Sequence, residues 1–129
     1  AIEETMSDIL NEIRQHLIDL KIVNAKELKN NFVDASPEVT SLWVYGGYKE
    51  VIGTSPTIQI KTLSVDPVKA QKRIQAIFDA LISNQPNRIS TINNKKMKVV
   101  ESQQPFFQEK DTQQRFVWVF NITVTAFWA

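Results

Sequence analysis

The sequence predicts an α+β fold, a mixed α/β sandwich in which a single sheet of about four to five strands carries two main helices on one face. Three observations predict it. Two stretches space their apolar residues at helical intervals, several others are extended and rich in β-branched and aromatic residues, and the order is helix, two strands, helix, three strands. One sheet with both helices on the same face buries both apolar stripes at once.

The first helix is read from Ser7 to Leu20, where Leu10, Ile13, Leu17 and Leu20 form the stripe. Ser7 or Thr5 can cap it, and Asp8 suits the positive end of its dipole. Lys21 to Glu38 mixes Asn, Lys and scattered apolar residues before Ser36-Pro37, and is read as a loop with one helical turn around Ala25 to Lys29. Strands are expected over Val39 to Gly46 and Thr57 to Val65. Between them GYKEVIGTSP, with Gly47, Gly53 and Pro56, is too long for a tight hairpin and is read as a projecting loop. Asp66 as cap, Pro67 at the first helical position and a stripe of Ala70, Ile74, Ile77, Phe78 and Leu81 define the second helix. After Pro86 come strands Arg88 to Ile92 and Lys96 to Ser102 around an NNKK turn, then a polar loop from Gln103 to Gln114, then the strand FVWVFNITVTAFW from Phe116 to Trp128.

That last run would extend for roughly 43 Å. A domain of this length has a radius of gyration of about 14 Å, so the strand must bend at a bulge or project. One of its faces, from Phe116 through Phe120 to Trp128, is apolar throughout and is expected to cover the helices. The other, with Val117, Val119, Asn121, Thr123, Thr125 and Phe127, is apolar at its ends and polar in the middle. Either it is the second face of an ordinary core strand, or a second copy of the chain buries part of it.

With 129 residues, 43% hydrophobic and 22% charged, the chain suffices for one domain. Residues 6–129 are expected to form that domain, with Ala1 to Thr5 an appended remnant before a native start at Met6. Fifteen Lys and Arg against fourteen Asp and Glu leave a net charge of +1, which gives no global field for nucleic acid or anionic membrane. There is no cysteine, which excludes disulfides, thiolate metal sites and cysteine nucleophiles, and makes the cytoplasm the expected compartment.

Searching for chemistry yields little. His16 is the only histidine, which excludes a multi-histidine metal site within one chain. The glycines Gly46, Gly47 and Gly53 are not followed by the lysine of a phosphate-binding loop. Asp8 and Glu12 share a helix face, as a general acid/base pair can, but an ordinary solvated face is the reading favoured for them. No catalytic residue, cofactor or metal is assigned. Lys95, Lys96 and Lys98 make the one basic cluster, without the interleaved aromatics of a nucleic-acid surface.

The leading helix, the strand ending near WVYGGYK, the strand TIQIKTLSVDP running into PVKAQKRIQAIFDALI and the closing arm QPFFQEKDTQQRFVWVFNITVTAF resemble tailed-bacteriophage tail terminator proteins, also called tail completion, neck or minor capsid proteins. The resemblance covers nearly the whole chain from Met6. It implies a structural virion protein, not an enzyme, assembled in the host bacterial cytoplasm into the virion tail. Its subunits would close into a ring, typically sixfold, that caps the tail tube, stops its polymerisation and offers the head-joining surface. The implied partners are copies of itself, the tail tube protein and a head completion or connector protein, with no membrane and only passive DNA passage through the ring. A head–tail connector or neck adaptor is the alternative within this class. Carried onto this chain, the resemblance places Trp43, Val117, Val119, Phe127 and Trp128 near subunit contacts. Tyr48, Lys49, Glu50 and Val51 would form one docking loop, and Phe106, Phe107, Glu109 and Lys110 a second. Readings from other classes stay open: a small nucleic-acid-binding accessory domain using Lys95, Lys96 and Lys98, or a small hydrolase with His16 in its site.

Overall fold

The computed structural model describes residues 2–49, 54–82, 89–92 and 95–126. Its elements are α1 (Ile2–Asp19), β1 (Leu28–Asn30), β2 (Glu38–Lys49), β3 (Thr54–Ser64), α2 (Pro67–Leu81), β4 (Ile89–Ile92), β5 (Lys95–Lys110) and β6 (Phe116–Ala126). The strands form one six-stranded sheet in the order β1-β2-β3-β6-β5-β4, with β1 parallel to β2 and every other pair antiparallel. Two helices on one face of one sheet give the α+β sandwich that the apolar periodicities require. The strand beyond the expected number is β1, three residues within the segment read as a loop.

Both helices bury their stripes against the same face. Ile9, Leu10, Ile13 and Leu17 of α1 and Ile74, Ile77 and Leu81 of α2 join Leu42, Ile58, Ile60, Phe120, Ile122 and Val124 in one apolar cluster. Phe78 sets its ring edge-on to Phe120 at 5.3 Å, a favoured aromatic geometry. The Asp66 carboxylate accepts from the Val68 and Lys69 amides, so the cap and Pro67 start α2 where the sequence places them. In α1 the helix passes through Thr5 and Ser7 from Ile2, so neither is its cap. Its end is a Schellman turn, with the Ile22 amide bonded to the Leu17 carbonyl and the Lys21 amide to that of Ile18. Termination at Asp19 leaves Leu20 half exposed, off the stripe.

Three loop expectations are corrected. β2 and β3 pair out to Lys49 and Thr54, so most of the expected projecting loop is ladder, and the remaining 50–53 lie outside the described residues. Around Ala25 to Lys29 there is a turn followed by β1. The expected polar loop from Gln103 is strand as far as Lys110. Three register shifts interrupt the pairing of β5 with β6 while β6 keeps an unbroken register with β3, so the additional residues belong to β5. These bulges break the alternation that makes a strand visible in sequence. The bulges that the terminal strand was expected to carry are therefore in its partner over the described residues.

Candidate assembly surface

The chain turns back sharply after β1. Asn31 adopts φ 61° and keeps the ladder going from its side chain, whose Oδ1 accepts from the Val44 amide at 3.1 Å. Residues 31–37 then return as a strap to the start of β2. Val33 packs from this strap, with Phe106 of β5, onto Val39, Leu63, Val117 and Val119, a second apolar cluster on the helix-free face. Val117 and Val119, expected at a subunit contact, are thus covered by their own chain.

Arg115 locks this arrangement. It is only 5% exposed, and its guanidinium donates to the carbonyls of Asp34 (2.6 Å) and Ser36 (2.9 Å) and to the Asp111 carboxylate (2.8 Å). The other Asp111 oxygen accepts from the Gln113 and Arg115 amides, shaping the hairpin between β5 and β6. Burial pulls the Asp111 pKa upward, but these hydrogen bonds and the neighbouring positive charge outweigh it and leave the carboxyl below its ordinary value.

The remaining expected site residues divide between faces. Phe107 is strand, not loop. It pairs with Trp118 on the helix side, touches the rings of Trp118 (5.9 Å) and Phe116 (6.3 Å), and is still 47% exposed. Glu109 and Lys110 pair with Val117 and Phe116, and the Lys110 ammonium lies 5.2 Å from the Phe116 ring. Trp43 is half-buried on the helix-free face, its indole N–H donating to the Ser41 hydroxyl at 2.7 Å. Tyr48 and Lys49 belong to β2, while Glu50, Val51, Phe127 and Trp128 lie outside the described residues.

A row of register partners, Glu38, Ser64, Phe116 and Lys110, marks one end of the sheet. Exposed Val65 follows β3 there, and exposed Val68 lies in the first turn of α2. Sequence reasoning missed this corner because Val65 reads as the last residue of a strand and Val68 as a helix residue. An open cleft of about 350 Å³ beside it is lined by Lys26, Glu27, Ser36, Pro37 and Glu38. Its carboxylates are paired to α2, Glu27 with Arg73 at 2.6 Å and Glu38 with Lys69 at 3.1 Å. The cleft is a joint between layers.

His16 is partly buried, and burial lowers its pKa against the opposing pull of Asp19. Among the described residues, no three His, Asp or Glu side chains gather to hold a metal ion, and no helix is long and apolar enough to cross a membrane. The surface offers aromatic and aliphatic anchors on a rigid sheet, suited to docking.

Comparison with known proteins agrees with that description. A chain in the virion of a native gene transfer agent particle superimposes with a TM-score of 0.53 over 90% of this chain and 89% of its own, at 9% identity. A second solved structure superimposes with a TM-score of 0.56 over 94% of each chain, at 12% identity. At these identities the likeness is one of fold. No curated protein sequence matches. A family model described as bacteriophage tail terminator protein matches residues 16–128, which take in the last turn of α1 and every strand and helix after it, and the chain therefore belongs to the bacteriophage tail terminator family, a family of structural proteins of the phage tail.

Proposed function

We propose that this protein closes the head-proximal end of a phage tail tube. Its copies, each a single domain over residues 6–129, assemble in the host cytoplasm into a ring, typically of six. The ring sits on the last layer of tube protein, blocks further polymerisation and presents its opposite side to a head completion or connector protein. Family membership across residues 16–128 is the observation that carries this reading. The surface supports it: Phe107 on β5, Val65 just after β3 and Val68 in the first turn of α2 stand exposed as apolar residues that a partner can cover. The mechanism is steric and requires no bond making.

The test is to delete the reading frame from the parent phage or prophage, induce, and measure tail length and head attachment by negative-stain electron microscopy. Overlong, headless tubes that shorten on complementation are the expected result. Tails of normal length lying beside separate heads would move the protein to the joining step, and unchanged particles would overturn the reading.

A further inference from the structure

We infer that the outer edge of β5 from Phe106 to Lys110 is a strand-acceptor site, which takes an extended segment of a different protein chain carrying an apolar residue and a carboxylate two positions apart; which protein supplies the segment rests on the tail-cap reading. The two edges of the sheet are finished differently. At β1 the outer edge is closed from α1: Arg14 donates to the Leu28 carbonyl at 3.3 Å, and the Asn30 side chain donates to Asn11 at 2.9 Å. At the other edge β4 pairs only with Lys95 to Lys98 of β5. Carried on, its register would reach no further than Pro105 before the chain enters α2. Pro105 has no N–H to offer, so Phe106 to Lys110 form a separate stretch of edge, without a strand partner among the described residues.

The direction of the main-chain groups on this stretch follows from the hairpin. The Asp111 amide donates to the Arg115 carbonyl at 2.9 Å, which turns Arg115 toward β5. Main-chain groups alternate sides along an antiparallel strand, so Phe116 and Trp118 turn theirs toward β3. Their partners on β5, Lys110 and Phe107, therefore point their own amides and carbonyls out to the open edge. Both side chains lie on the helix side, Phe107 against the Trp118 ring and the Lys110 ammonium 5.2 Å from the Phe116 ring. The register shift between Phe107 and Glu109 absorbs one residue, so an added strand meets these two positions with side chains two residues apart. An apolar side chain covers the half-exposed Phe107 ring, and a carboxylate faces the Lys110 ammonium. The hydrogen bonds of Asp111 and Arg115 hold the hairpin beforehand, so main-chain pairing needs little ordering. The β5 of a second copy fits poorly: registers that pair this stretch with itself about a two-fold axis set Lys110 opposite Phe106, Gln108 or another Lys110, never a carboxylate.

The experiment adds two end-blocked peptides, Thr-Ile-Thr-Glu-Thr and its reverse Thr-Glu-Thr-Ile-Thr, to the isotope-labelled full chain and follows its amide resonances. One of the two directions is expected to shift the resonances of Phe106 to Lys110 and to slow exchange of the Phe107 and Lys110 amides, with β1 unmoved. K110P removes an outward N–H without touching the bonds to β6, and should abolish binding. K110A keeps that N–H and should weaken binding by no more than about fivefold. K110E, the variant that guards against a misfolded K110P, should prefer the peptide with Lys in place of Glu by about fivefold. Absence of wild-type binding at millimolar peptide overturns the proposal, as does equal binding by K110P and K110A, which would make the contact one of side chains alone. So does a wild-type sedimentation mass above that of one chain that the peptide reduces, which would give the edge to a second copy. Reading the isolated chain separates this site from the tail-cap reading. Tails unaffected by the deletion, with peptide bound, would remove the cap reading and leave the strand site standing; overlong tails without peptide binding would do the reverse.

Discussion

The Arg115 guanidinium donates a 2.6 Å hydrogen bond to the main-chain carbonyl of Asp34, 81 residues earlier in the chain. This contact joins the β5–β6 hairpin to the strap before β2, and between them Val33 and Phe106 close the second apolar cluster. Replacing Arg115 with Met leaves the part-buried Asp34 and Ser36 carbonyls and the Asp111 carboxylate without their donor. The expected loss is about 3 kcal/mol of unfolding free energy, measured by urea denaturation with an unchanged slope. Cleavage by protease within residues 31–37 should accelerate more than global unfolding explains. A loss below about 0.5 kcal/mol would mean the clasp contributes no more than an exposed pair.

Acid should loosen the same clasp. Asp34 is held below its usual carboxyl value chiefly by the Ser36 amide, and Asp111 by its hydrogen bonds from Arg115 and Gln113 despite burial. A carboxyl whose folded pKa is depressed binds its proton more readily in the unfolded chain. Its stabilisation is therefore complete above the ordinary value of 3.8 and is lost as pH falls through the lower folded values. Stability measured from pH 6 downward should fall less steeply in D111N than in wild type, with the gap between them narrowing below about pH 3.8. A constant gap across that range would place the Asp111 contribution outside its charge.

What was legible in the sequence followed local chemistry. Asp66-Pro67 and the stripe from Ala70 to Leu81 specify α2 within a single stretch, and the alternation from Phe116 to Val124 correctly assigns the helix-facing side of β6. The first half of β5 was read as a strand, but its second half escaped because Pro105 and three register shifts disrupt its period of two, which also turned Phe106 and Phe107 from expected loop anchors into strand residues of opposite faces. β1 escaped because three residues carry no periodicity. The burial of Val117 and Val119 depends on Val33 and Arg115 acting across the chain, and no local pattern announces a contact at such separation.

Lys21 holds φ 59° at the position after α1 where glycine is ordinarily found. A side chain with a Cβ is strained there, and the hydrogen bonds from the Lys21 and Ile22 amides hold it in place. K21G should relieve the strain and stabilise the protein by about 1 kcal/mol, or roughly 2–4 °C in melting temperature. A destabilised K21G would show that the exposed lysine side chain contributes more than its backbone geometry costs.

Phe107 separates assembly from folding. Its ring lies at the edge of the Trp118 and Phe116 rings yet remains half open to water, so it is less committed to the fold than Phe106 on the strand's other side. Replacing it with Ser removes an exposed apolar anchor and forfeits aromatic contacts worth about 1 kcal/mol, leaving a folded domain. If a partner covers this end of the sheet, F107S should fold and fail to restore tail length in a deletion strain. The same substitution at Phe120, buried under α2, should unfold the protein by about 4 kcal/mol and remove every activity together. A folded F107S that caps tails at wild-type efficiency would remove Phe107 from the docking surface, leaving Val65 and Val68 as the exposed apolar residues of that end to test next.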